Sequence, residues 1–101
     1  MKLRLTKAAR ADLANIRYYT RKEHSPAQTK KYISLLRTGF KTLQDHPEIG
    51  YSINHLLEGH RCFQIKYHRV FYCLSDTHII VKAILHEAQS PQRHLSQRPT
   101  D

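Results

Sequence analysis

The sequence predicts an α+β protein, a two-layer sandwich with two N-terminal helices packed on a small, mostly antiparallel sheet. Three observations predict it. Apolar residues alternate in "KLRLT" at the start and again in three runs after residue 60, the period of half-buried strands. Between them, residues 7–45 carry apolar side chains at helical spacing in two blocks separated by "HSP". The resulting order, β-α-α-β-β-β, buries both helix stripes most simply against one face of one sheet.

Each element follows from its residues. In the first strand Leu3 and Leu5 share one face, and Lys2, Arg4 and Thr6 the other. Thr6 is placed to cap a helix from Lys7, whose inward stripe is Ala9, Leu13, Ile16 and Thr20. Ser25 caps a second helix, with Pro26 at the first helical position and Gln28 completing a capping box. That helix runs to about Asp45, with Ala27 or Thr29, then Ile33, Leu36, Phe40 and Leu43 inward. Gly39 weakens it slightly, and His46-Pro47 stops it. Residues 46–59 read as a loop over Ile53, Leu56 and Leu57.

Strands are then expected at about His60–Lys66, Arg69–Ser75 and His78–His86. A two-residue turn at Tyr67-His68 sets Phe63 opposite Tyr72, Ile65 opposite Val70 and Cys62 opposite Cys73. The helix-facing side then holds Phe63, Ile65, Val70, Tyr72 and Leu74, joined by Ile79, Val81, Ala83 and Leu85. The other face has no helix left to cover it. It carries Lys66, Arg69, Phe71, Ile80, Lys82, Ile84 and His86, half basic and half apolar, which is the composition of a binding surface. After Ser90-Pro91 the chain turns polar, so residues 1–95 read as one domain and 96–101 as a flexible tail.

The chain has 101 residues, the size of one domain. It has no apolar run long enough to span a membrane, and "MKLRLTKAARADL" lacks the apolar core of a signal peptide. A cytoplasmic protein with reduced thiols at Cys62 and Cys73 is the expectation. The net charge is +9, and it is placed unevenly. Residues 1–41 hold eleven basic and two acidic residues, whereas residues 42–101 hold six of each. So one-sided a field attracts an acidic partner, whether nucleic acid or an acidic protein segment.

Several chemistries are excluded. The eight histidines form no HExxH and no paired CxxC accompanies them, so no metal site is expected. Isolated glycines exclude a phosphate-binding loop, no GxSxG is present, and no cofactor is implied. Ribonuclease chemistry needs a base, an acid and cations around the phosphorane. Arg61, Lys82 and His86 are the residues that could supply them, with Arg69 nearby in the sequence pattern.

Several runs, in order, resemble the ParE toxins of bacterial type II toxin–antitoxin pairs, within the wider RelE/ParE superfamily. They are "ARADLANIRYYT", "AQTKKYISLL", "HPEIG", "GHRCF", "YHRVFYCL" and "ILHEAQSPQRHL". The resemblance implies a toxin that blocks DNA gyrase without chemistry. It also implies a cognate ParD-like antitoxin whose C-terminal segment folds on binding, and which alone contacts operator DNA. On that reading the basic, part-apolar sheet face holds the antitoxin, while Arg61, Arg93 and His94 contact the target. Two alternatives stand beside it: a ribosome-dependent mRNA endonuclease of the RelE branch, and a nonspecific basic nucleic-acid-binding protein.

Overall fold

In a computed structural model that describes residues 1–98, the strand β1 (Lys2–Leu5) leads into helices α1 (Lys7–Glu23) and α2 (Pro26–Asp45). A two-residue strand β2 (Tyr51–Ser52) lies within the loop, followed by β3 (His60–Ile65), β4 (His68–Leu74) and β5 (His78–His86). A short helix α3 (Pro91–Leu95) closes the described chain. The sheet order is β1-β5-β4-β3-β2, antiparallel except for the parallel pair β1 and β5. This is the α+β arrangement read from the sequence, with both long helices on one face.

The helix starts are set by the expected caps. Thr6 Oγ1 accepts from the Ala9 N–H, and Ser25 Oγ from the Gln28 N–H. The main core lies between the helices and the sheet. Ala9 and Ile16 of α1 and Ile33, Leu36 and Leu43 of α2 meet Ile65, Val70, Tyr72, Ile79, Val81 and Ile84. Burying a side chain such as Leu36 or Leu43 completely contributes about 1.5–3 kcal/mol. The buried Tyr72 hydroxyl donates to the Pro47 carbonyl at 2.8 Å and accepts from the Gly50 N–H at 2.9 Å. It thereby pins the end of the loop after α2 to the sheet.

Three expectations are corrected. The hairpin turns at Lys66-Tyr67, not Tyr67-His68: Ile65 pairs with His68 and Phe63 with Val70. Lys66 supplies the left-handed residue this turn requires, at φ 55°. Cys62 therefore faces Phe71, and Cys73 faces His60, so the two thiols are not opposed and both are free.

The second correction concerns β5. Phe71 pairs with Ala83 but Tyr72 pairs with Val81, so Lys82 is an extra, bulged residue. Beyond the bulge the faces exchange. Ile84 turns to the helix side, while Ala83 and Leu85 turn away from it.

Third, the face opposite the helices is not bare. Ile53, with Leu56 and Leu57, and Leu95 of α3 cover Cys62, Phe71, Ala83 and Leu85 in a second small core. Beyond residue 95 the chain is described as far as Arg98. Arg98 makes a two-pronged ion pair with Asp12 of α1, at 2.8 Å on both arms. Of the expected flexible 96–101 segment, Pro99, Thr100 and Asp101 lie outside the described residues.

Candidate partner-binding groove

A groove of about 1130 Å³ runs between α1 and α2 and opens over the Lys66-Tyr67 turn and the end of β5. Its apolar lining comes from Ile16 and Tyr19 of α1, Tyr32 and Leu35 of α2, Tyr67, and Ile84. Tyr19 is 58% and Leu35 40% exposed, large values for apolar side chains on adjoining walls. Lys31 and Lys66 add positive charge, and Asp12 and Glu23 stand on the α1 side.

At the floor the sheet brings two histidines together. The β4–β5 register pairs His68 with His86, their rings 5.3 Å apart and edge-on. The Tyr32 hydroxyl lies 2.5 Å from His68 Nδ1, and the Tyr32 ring stacks with Tyr67 at 6.2 Å. Burial, and secondly the neighbouring His86, lower the pKa of His68 from 6.5 to about 4, so its imidazole is neutral near neutral pH. His86 is fixed by the turn that follows it. Its N–H donates to Gln89 Oε1 at 2.7 Å, and its Nδ1 accepts from the Ala88 N–H at 3.0 Å.

The strand edge beside the groove is closed from within the chain. Past residue 81, β5 has no β1 partner. The Ile84 N–H donates instead to Asp12 Oδ2 at 2.9 Å, and the Lys82 carbonyl accepts from Arg98 at 3.0 Å. One carboxylate thus satisfies a strand N–H and holds the C-terminal segment against α1.

The seven residues expected on one sheet face are distributed over several places. Lys66, Ile84 and His86 line the groove, on the helix side of the sheet. Phe71 is buried under the loop in the second core, and Ile80 is half-buried on that same face. Arg69 donates to the carbonyls of Glu87 and Gln89, both at 3.0 Å, and so holds the turn after β5. Lys82 is the bulge residue.

Arg61 donates to the Glu48 and Gly50 carbonyls at 3.2 and 2.7 Å, not to the loop carboxylates Glu58 or Asp76. Arg61 and His86 are not brought together. Arg61 is level with Val81 through Tyr72, five residues of β5 from His86, a separation of roughly 16 Å along the strand. Arg93 and His94 lie on α3, which packs through Leu95 on the second core.

The groove residues the sequence reading missed are Tyr19, Tyr32, Leu35, Tyr67 and His68. A signal for two of them is present: Tyr19 and Leu35 fall off the inward stripes of both helices, yet are large and apolar.

Comparison with known proteins agrees with this architecture. Residues 3–91 match the family described as ParE toxin of the type II toxin–antitoxin system parDE. Toxin ParE of Escherichia coli is 34% identical over 96 residues, covering 93% of this chain and 92% of that protein. Toxin ParE1 of Caulobacter vibrioides is 28% identical over 92 residues, covering 91% and 95%. A solved structure described as the chromosomal ParDE TA system from P. aeruginosa has the same fold, with a TM-score of 0.74 at 20% identity. It covers 85% of this chain and 95% of its own.

Proposed function

Because the chain belongs to the ParE toxin family of type II toxin–antitoxin systems, we propose that it arrests growth by binding DNA gyrase, without chemistry of its own. A cognate ParD-like antitoxin neutralises it by laying a segment in the groove between α1 and α2. The observation that carries the antitoxin reading is the groove itself: exposed Tyr19 and Leu35 beside Tyr32 and Tyr67, with Lys31 and Lys66 alongside. An amphipathic segment that folds on binding would set apolar side chains on those aromatics and acidic ones beside the lysines. His86 and Lys66 are the antitoxin contacts retained from the sequence reading, while Ile84, 2% exposed, belongs to the main core beneath them. Arg93 and His94, on the far side of the sheet, remain candidates for the target. On this reading the toxin acts in the cytoplasm, where gyrase is, and the operator's sequence is read by the antitoxin.

A ribonuclease of the RelE branch would need Arg61, Lys82 and His86 around one phosphate, and Arg61 and His86 stand far apart on the sheet. Pulse-labelling after induction separates the two activities. Thymidine incorporation is expected to fall first and to recover when the antitoxin is co-expressed. An earlier fall in leucine incorporation, with cleaved messages, would favour the ribonuclease and overturn the gyrase proposal.

A further inference from the structure

The helix α1 sorts its charges by flank. Lys7, Arg10, Arg17 and Arg21 recur at steps of three, seven and four residues. At 3.6 residues per turn they share a sector of roughly 80°, about 110° round from the inward stripe. Lys22 extends the same exposed side. The helix's acids, Asp12 and Glu23, lie beyond the other edge of the inward stripe, in the groove. Asp12 is already engaged by Arg98. None of the five cations makes an ion pair among the described residues. The stripe position between Arg10 and Arg17 is Ala14, exposed and small, and Tyr18 stands at its border, 59% exposed.

We propose that this outer flank of α1 binds the phosphate backbone of duplex DNA, with the helix lying along the major groove. The stripe spans about 21 Å of helix, and duplex DNA presents one negative charge per about 1.7 Å of axis. A major groove about 12 Å wide admits a helix; with Ala14 on the contacting flank, Arg10, Arg17 and Arg21 all lean to one side of it, toward the phosphates of one strand. The Tyr18 hydroxyl can donate to a phosphate oxygen. An acidic peptide would meet the charge equally well. It would also bring apolar side chains, and the aromatic groove that could receive them opens on the other flank of α1. The apolar site of α1 is on its groove flank, so the outer flank suits a partner that is all phosphate on its contact surface. This inference stands apart from the gyrase proposal, since binding to bare DNA is measured without gyrase.

The test is fluorescence anisotropy of the full chain on a labelled duplex of about 20 base pairs, as a function of salt. Four phosphate contacts predict a log–log slope near about −3.6, or roughly a hundredfold loss of affinity from about 50 to about 200 mM salt. Arg10→Gln with Arg17→Gln should reduce the slope by about 1.8 and weaken binding more than about tenfold. Arg37→Gln with Lys41→Gln, an equal change of charge on exposed residues of α2, should leave affinity within about twofold. If the first pair fails to fold by thermal melting, Arg21→Gln with Lys22→Gln at the exposed helix end replaces it, with the same expectation of a shallower slope. Equal losses from the α1 and α2 pairs would reduce the effect to net charge and overturn the proposal. So would absence of duplex binding at low salt. Competition by polyglutamate as strong as by unlabelled duplex would assign the flank to an acidic protein segment instead.

Discussion

Gly39 lets α2 pack tightly against the sheet at Ile65. A Cβ placed there would lie 2.2 Å from Ile65 Cδ1, 2.7 Å from Cγ1 and 3.3 Å from Cγ2. Alanine would gain about 1 kcal/mol of helix propensity. Overpacking costs about 1–3 kcal/mol, and only Cδ1 is a free side-chain end, so the clash outweighs the gain. Gly39→Ala should therefore lower stability by about 1–2 kcal/mol in urea unfolding, and Ile65→Val in the same chain should restore part of it. A stabilised Gly39→Ala would contradict the packing described. From sequence the glycine reads only as a weak point in a helix, because Ile65, the residue it accommodates, is 26 positions away. His68 adds a pH dependence. The fold holds its imidazole neutral, with a pKa of about 4 against 6.5 in the unfolded chain. Between those values the unfolded state binds the extra proton, so this contribution is complete above 6.5 and is lost as pH falls toward about 4. The melting midpoint should fall across that window, and His68→Gln should flatten the fall. An unchanged pH profile in that variant would place the titration elsewhere.

At the scale of elements, both long helices, their caps and four of the five strands were legible, because period and capping chemistry are local, while the two-residue β2 was read as loop. The hairpin register was not. Moving the turn by one position changes the register by two, which keeps every side chain on its face, so alternation cannot separate the two pairings. Only turn chemistry can, and neither Lys66, Tyr67 nor His68 is the glycine or asparagine that would have marked the turn. The bulge at Lys82 was hidden for a related reason. Ala83, Ile84 and Leu85 are all apolar, so either face assignment buries something. The lock formed by Asp12 and Arg98 joins residues 86 positions apart, and nothing in the sequence pattern announces it. Its parts are unequal. Arg98→Ala removes the ion pair and a bond to the Lys82 carbonyl, which keeps the Thr6 hydroxyl, and should cost about 1 kcal/mol. Asp12→Ala also strands the Ile84 N–H and should cost about 2–3 kcal/mol. Equal losses in chemical denaturation would mean that the strand N–H finds another partner.

At the scale of the whole molecule, the charge asymmetry and the family pattern were both readable, and they pointed to a macromolecular partner. The position of the groove was not. It is assembled from both helices, the hairpin turn and the end of β5, and it depends on the bulge that turns Ile84 and His86 toward the helices. The sheet face first read as the binding surface is instead partly covered by Ile53, Leu56, Leu57 and Leu95. The molecule thus offers a partner two separate regions on opposite flanks of α1: an aromatic groove and a basic stripe. Neither gathers Arg61, Lys82 and His86 into one catalytic cluster, and the proposed activity is accordingly one of binding. Its most direct test is a supercoiling reaction containing purified gyrase, relaxed plasmid and ATP, titrated with this protein. The account predicts inhibition that rises with toxin, reverses when antitoxin is added, and leaves translated messages intact in a parallel reaction with ribosomes. Full supercoiling in the presence of excess folded toxin, with messages cut in the ribosome reaction, would contradict it.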